Sequence, residues 1–176
     1  MANQEKDIKP QKSAPKVCIV MGSDSDLAVM EAAAAVLNQF AIPYEMTVAS
    51  AHRSPKRSAD LASSAKARGI KVIIAGAGHA AHLAGAMAAY TTLPIIGVPI
   101  DSSCLQGLDS LLSTVQMPPG IPVATMAIGK SGARNAGIFA AQILAVSDPE
   151  LSGKLENYKQ EMAEQVVQKA LKLEKS

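Results

Sequence analysis

The residues best equipped for chemistry in this 176-residue chain are its three histidines, His52, His79 and His82. They lie in two short stretches, Ser50-Ala51-His52-Arg53-Ser54-Pro55 and Ala75-Gly76-Ala77-Gly78-His79-Ala80-Ala81-His82, each beginning where an apolar, strand-like run stops. An imidazole titrates near neutral pH and can both give and take a proton. The Arg53 guanidinium beside it offers planar, paired donors suited to phosphate or carboxylate, its plainer alternative being a surface salt bridge. Small residues at Gly76, Ala77 and Gly78 let a ligand come close to the backbone. His82, one turn into a helix, reads equally as a structural or a functional residue, and His79 as an exposed turn residue. A third stretch, Gly22-Ser23-Asp24-Ser25-Asp26, joins a first strand to a helix N-terminus, where free N–H groups and the helix dipole favour an anion. The same Ser and Asp could simply cap that helix.

Several reactions lack their parts. No lysine sits in a strand-exit motif to form a Schiff base, no His, Cys and carboxylate cluster has metal spacing, and there is no nucleophile elbow. A phosphate-binding Gly-x-x-x-x-Gly-Lys is also missing. The glycine run is not a dinucleotide fingerprint, because Ala81 holds its third position and the run follows the wrong strand. What remains is cofactor-free acid/base chemistry on a small phosphorylated substrate.

Positioning these stretches requires a regular alternation of elements. Val17–Met21 is a continuous apolar run, as in a strand buried on both faces of a parallel sheet. A helix is predicted over 27–40, capped by Ser25 or Asp26, then a strand over 43–49 and a helix over 55–67 that opens on Pro55. The third strand is predicted at Val72–Ala75, with Gly76-Ala77-Gly78 as its exit turn, and a helix follows over 80–90. Strands at 94–98, ending before Pro99, and at 122–128 flank a short helix over 108–115. A helix opened by Ser131 runs to Val146. This pattern predicts a single α/β domain, a doubly wound parallel sheet in three layers, spanning 17–148. In such a sheet the loops at the carboxyl ends of the strands share one crevice, which would bring the three stretches together. Residues 149–176 form an added amphipathic helix, with Leu151, Leu155, Tyr158, Met162, Val166, Ala170 and Leu173 on one stripe. It reads either as packing on its own domain or as lying on a neighbouring subunit, the second being favoured.

Composition agrees with an ordinary globular chain. Hydrophobic residues make up 48%, enough for one substantial core. No apolar run reaches the length of a membrane span, and residues 1–16 lack a secretory signal's apolar segment. Cys18 and Cys104 are too few and too separated for a disulfide or zinc pattern. The chain is therefore read as cytoplasmic. The formal charge of +2 is already carried by residues 1–16, a flexible basic leader, so the body is balanced. That balance, with two Phe, three Tyr and no Trp, argues against a nucleic-acid surface.

At these residues the sequence resembles the class I N5-carboxyaminoimidazole ribonucleotide mutases of bacterial purine biosynthesis. The resemblance rests on Met21-Gly22-Ser23-Asp24-Ser25-Asp26, Ser50-Ala51-His52-Arg53, Ala75-Gly76-Ala77-Gly78, Ala80-Ala81-His82-Leu83 and Gly97-Val98-Pro99. It continues through Gly107 to Ser113, Val115-Gln116-Met117-Pro118, Ala127-Ile128-Gly129 and Asn135. It implies a flavodoxin-like subunit, a homo-octamer with sites near subunit junctions, and no metal or other cofactor. It further implies that Ser23, Ser25 and Arg53 hold a 5′-phosphate, Asp26 the ribose hydroxyls and Ser50 the substrate-binding loop. His52 would shuttle the proton, His82 would help shape the site, and the Gly76-Ala77-Gly78 backbone would face the carboxylate. A transient contact with the enzyme that makes the carbamate substrate is compatible with this picture. The chain departs from the family at His79, where a small residue is usual, and at Ala84, where Pro is usual.

Two rivals stand beside this reading. A class II relative would carboxylate aminoimidazole ribonucleotide with free CO2, but it typically has Lys in place of Arg53 and a different turn in place of Ala75-Gly76-Ala77-Gly78. A non-enzymatic flavodoxin-like nucleotide-binding module would want aromatic flanks, which are scarce here.

Overall fold

A strand whose every side chain is apolar must be covered on both faces, and Val17–Met21 meets that condition as β1, with all five residues buried. The structure, a computed structural model, describes residues 14–174; most of the basic leader, residues 1–13, lies outside them. After β1 come α1 (Leu27–Gln39), β2 (Tyr44–Val48), α2 (Pro55–Ala65), β3 (Val72–Gly78) and α3 (Leu83–Ala88). The chain continues through β4 (Ile95–Ile100), α4 (Leu108–Val115), β5 (Ala124–Thr125), α5 (Gly129–Ala145) and α6 (Pro149–Glu174). All strand pairs are parallel, in the order β2-β1-β3-β4-β5. The chain thus builds outward from β1 in one direction, returns over it to β3 and continues the other way. Between β1 and β3 lies the switch point at which such sheets bind ligands.

Alternate side chains of each strand feed two cores. Val17, Ile19 and Met21, with Val72, Ile74, Ile96 and Val98, pack beneath α1 and α5 against Met30, Leu37, Ala133 and Ala140. Cys18 and Val20, with Ile73, Ala75 and Ile95, pack on the other face against Ala62, Ala65, Leu83 and Met87 of α2 and α3. Helices α1 and α5 approach closely because both are rich in Ala, and because a Cβ at Gly137 would lie 2.9 Å from the Ala33 carbonyl oxygen. These three layers are the architecture the sequence predicts.

Several boundaries differ from the sequence expectation. Asp26 holds the N-cap position of α1 but makes no side-chain cap bond; Ser23 instead caps the short 3-10 turn Asp24–Asp26 before it, its hydroxyl accepting the Ser25 N–H at 3.4 Å while Asp26 accepts the Ser23 N–H at 3.1 Å. The glycine run is no exit turn but the last three residues of β3, paired with β4 through Gly78↔Ile100. Pro99 lies within β4 rather than after it, beyond the end of the β5 ladder at Gly97↔Thr125, where a missing N–H is tolerated. Helix α3 starts at Leu83 instead of residue 80, β5 has two residues instead of seven, and α5 begins at Gly129 instead of Ser131. The final helix divides the two readings of its stripe. Leu151 and Leu155 are buried, and the Tyr158 ring meets Phe40 edge-on at 5.6 Å, so its first turns pack on their own domain. Met162, Val166 and Leu173 farther along are exposed. No helix among the described residues is long and apolar enough to cross a membrane.

Candidate active site

The register of the sheet determines which loops meet. Met21 pairs with Val48 on one side and Gly76 on the other, so β1, β2 and β3 reach the same level together. Two backbone bonds seal that level: Ala49 N–H to the Met21 carbonyl at 2.9 Å, and Gly22 N–H to the Gly76 carbonyl at 3.0 Å. Just above it opens a cavity of about 450 Å³. Ser23, Ser25 and Asp26 line it from the β1 exit, Ser50, His52 and Arg53 from the β2 exit, and Ala77, Gly78, His79 and His82 from the β3 exit. The three stretches singled out by residue type therefore share one pocket, as the strand-exit rule requires. Gly76 is the exception, buried in β3 away from the cavity. A Cβ there would lie 2.3 Å from the Met30 sulfur, so the flexible end of the Met30 side chain beneath the sheet would have to shift.

Each functional side chain is held by its neighbours. Ser50 and Ser54 close the β2 exit reciprocally: the Ser50 N–H donates to Ser54 Oγ at 2.9 Å, and the Ser54 hydroxyl returns to the Ser50 carbonyl at 3.2 Å. Ser50 Oγ also accepts the Arg53 N–H at 3.1 Å, which fixes His52 between them. Arg53 reaches across to donate to the Gly22 carbonyl at 3.0 Å, leaving further guanidinium donors for a ligand. The His52 Nε2 and His82 Nδ1 atoms are 2.8 Å apart, with the rings nearly perpendicular. Such a bond needs one donor and one acceptor, so in it a single proton lies between the two facing nitrogens.

Asp26 is the buried acid of the site, only 5% exposed. Burial pushes its carboxyl above the usual range, while the Ser23 N–H and the charges of Arg53 and His79 draw it back. The structure also adds a residue that the sequence reading passed over. Ser102, just past β4, lines the cavity and bonds His79 Nδ1 through its hydroxyl at 3.0 Å. Applying the strand-exit rule to the fourth strand as well would have found it. Among the described residues, no group of three or more His, Cys, Asp or Glu side chains is arranged to hold a metal ion. The arrangement can hold an anion at the β1 and β2 exits and move a proton at the imidazole pair beside it.

Comparisons with known proteins bear on what this pocket handles. The profile of the AIR carboxylase family matches residues 16–165. An N5-carboxyaminoimidazole ribonucleotide mutase of Thermotoga maritima is 56% identical over 91% of this chain and 92% of its own length. The mutase of the same name from Vibrio parahaemolyticus is 59% identical over 86% of this chain and 94% of its own. A phosphoribosylaminoimidazole carboxylase of Schizosaccharomyces pombe is 54% identical over 96% of this chain, which spans 30% of that longer protein. Among solved structures, Treponema denticola PurE superposes with a TM-score of 0.81 at 28% identity, covering 90% of this chain and 98% of that one.

Proposed function

The chain belongs to the AIR carboxylase family, and from that premise we propose that it is a mutase converting N5-carboxyaminoimidazole ribonucleotide to 4-carboxy-5-aminoimidazole ribonucleotide in purine biosynthesis. The observation that carries this reading is the His52–His82 pair, 2.8 Å apart in a cavity that also presents Arg53, Ser23 and Ser25. In this assignment Ser23, Ser25 and Arg53 take the 5′-phosphate and Asp26 the ribose hydroxyls. The carboxylate faces the backbone of Ala77 and Gly78, with Gly76 behind them.

The chemistry uses the imidazole twice. His52 protonates the carbamate nitrogen, the N–CO2 bond breaks, and CO2 is released beside aminoimidazole ribonucleotide. The electron-rich C4 attacks that CO2, and His52, now neutral, removes the C4 proton to restore the aromatic ring. Between the two steps the donated proton sits on the substrate's exocyclic amine, while the hydrogen bond to His82 holds the His52 ring in place for the return transfer. A walled cavity holds CO2 close to C4, so recapture competes with escape.

The wider assembly follows the same reading. The exposed far half of α6 suits a neighbouring subunit in a homo-octamer, the cytoplasm is the compartment, and a transient contact with the carbamate-forming synthetase would supply the unstable substrate.

The test is a metal-free, ATP-free assay of both carboxylated ribonucleotides, comparing the native chain with His52→Asn. The native protein should interconvert the carbamate and the C4 acid, and the variant should bind ligand but turn over about 10²- to 10⁴-fold more slowly. Turnover that needs high bicarbonate and ignores the carbamate would instead make the chain a carboxylase. Full activity in the variant would transfer the proton chemistry to another histidine of the pocket.

A further inference from the structure

His79 is left unused by that mechanism, yet the structure gives it a costly and fixed position. Its φ is +53°, in the left-handed region that glycine enters freely and an imidazole-bearing residue does not. Backbone strain of this kind persists where the surroundings enforce it, and it concentrates at ligand sites. Here Ser102 is the neighbour that holds the His79 ring. Its side chain sits where a Cβ on Gly78 would be, 1.7 Å from the hydroxyl oxygen, and that hydroxyl is 3.0 Å from His79 Nδ1. With Nδ1 engaged, Nε2 is the nitrogen left for a ligand. His79 lines the same cavity as Ser23, Ser25, Asp26 and Arg53, and its charge, like that of Arg53, is felt at the buried Asp26 carboxyl.

We propose that His79 is a specificity-determining residue of this chain, its Nε2 donating to the sugar–phosphate end of the ligand beside Asp26 and Arg53. The inference rests on the reading of the cavity as a ribose phosphate site. It assigns to this chain a side-chain contact that a small residue at the same position could not make. Ser102 is its positioning partner, orienting the ring through Nδ1 as a hydrogen-bonded orienter does for a working imidazole.

The probe is ribose 5-phosphate, titrated calorimetrically into the full-length chain and its His79→Gly and His79→Asn variants. Both substitutions suit a left-handed backbone, Gly best and Asn among the more tolerant residues, so neither should lower the unfolding midpoint. The expected result is about tenfold weaker binding in both, the loss of one charge-assisted hydrogen bond. In turnover the effect should fall on KM more than on kcat. Unchanged affinity in His79→Gly would overturn the inference, as would a native chain that does not bind the probe. Native-like affinity in His79→Asn would overturn it too, by assigning the effect to the backbone rather than the imidazole. Because the probe carries no carboxylate, binding is read independently of the mutase reaction. A chain that binds it through His79 but leaves the carbamate untouched would defeat the proposed function and leave this inference standing.

Discussion

Side chains separated by 30 positions, His52 and His82, share one hydrogen bond, and nothing in their spacing announces it. The strand-exit rule made His52, Arg53 and Ser23 legible, because each follows an apolar run that ends at a polar or glycine-containing stretch. The pairing was not legible, since it depends on β1 holding β2 and β3 in register. Ser102 escaped for a different reason: a serine in an Asp-Ser-Ser loop has no signature apart from its place at a strand end. Gly76, read as making room for ligand, does not line the cavity, and the Met30 sulfur lies where its Cβ would be. Asp26 offers a prediction at this scale. Its carboxyl is raised by burial, so in the folded state it holds its proton to higher pH than in the unfolded chain. Its contribution to stability is therefore present below the ordinary carboxylate pKa and lost as pH rises through the raised folded value. Asp26→Asn keeps an oxygen for the Ser23 N–H and never ionises. The variant should match the native chain in acid and gain stability relative to it as pH rises toward neutrality, while its affinity for the ribonucleotide falls. Unfolding midpoints of both proteins across pH 3 to 7 would check the sign.

The elements were read best where burial is complete. β1 and α4 fall where the sequence placed them, because an all-apolar strand and a short helix bounded by Gly107 and Met117-Pro118 leave little freedom. β5 shrinks to Ala124–Thr125 because only β4 pairs with it, so apolar flanking residues continue as loop. α5 starts early for a reason tied to contact: a Cβ on Gly132 would sit 1.6 Å from the Ala127 carbonyl oxygen, so the first turn folds tightly onto the preceding chain. Gly132→Ala should therefore destabilise the protein by about 3 kcal/mol, since backbone rather than a flexible side-chain tip must yield. Gly153 in α6 has nothing within 4 Å of its would-be Cβ. Gly153→Ala should stabilise by about 1 kcal/mol through helix propensity alone. Chemical denaturation of the two variants gives opposite shifts in midpoint if this reading of the helices is correct.

For the whole molecule, the doubly wound architecture was legible from the alternation of strands and helices, whereas the end of α6 was not, because an apolar stripe does not reveal what covers it. Leu155 is buried while Val166 and Leu173 stand 65% and 78% exposed, so the stripe continues past the domain that covers its start. If this exposed stripe meets a neighbouring subunit, as proposed, Val166→Asp combined with Leu173→Asp should leave the circular dichroism unchanged and lower the sedimenting mass. An unchanged mass would overturn that proposed contact. The strand order has a consequence of its own for how the chain comes into being. The pocket needs the ends of β1, β2 and β3 and Ser102 just past β4, so it cannot be complete on the ribosome until residue 102 has emerged. The apolar side of α1 waits longer, because its covering partner α5 begins only at Gly129. Over that interval Ala33 and Val36, which pack against Gly137 of α5, face the solvent of a half-made protein, and the nascent chain is open to non-native association until its fifth helix arrives.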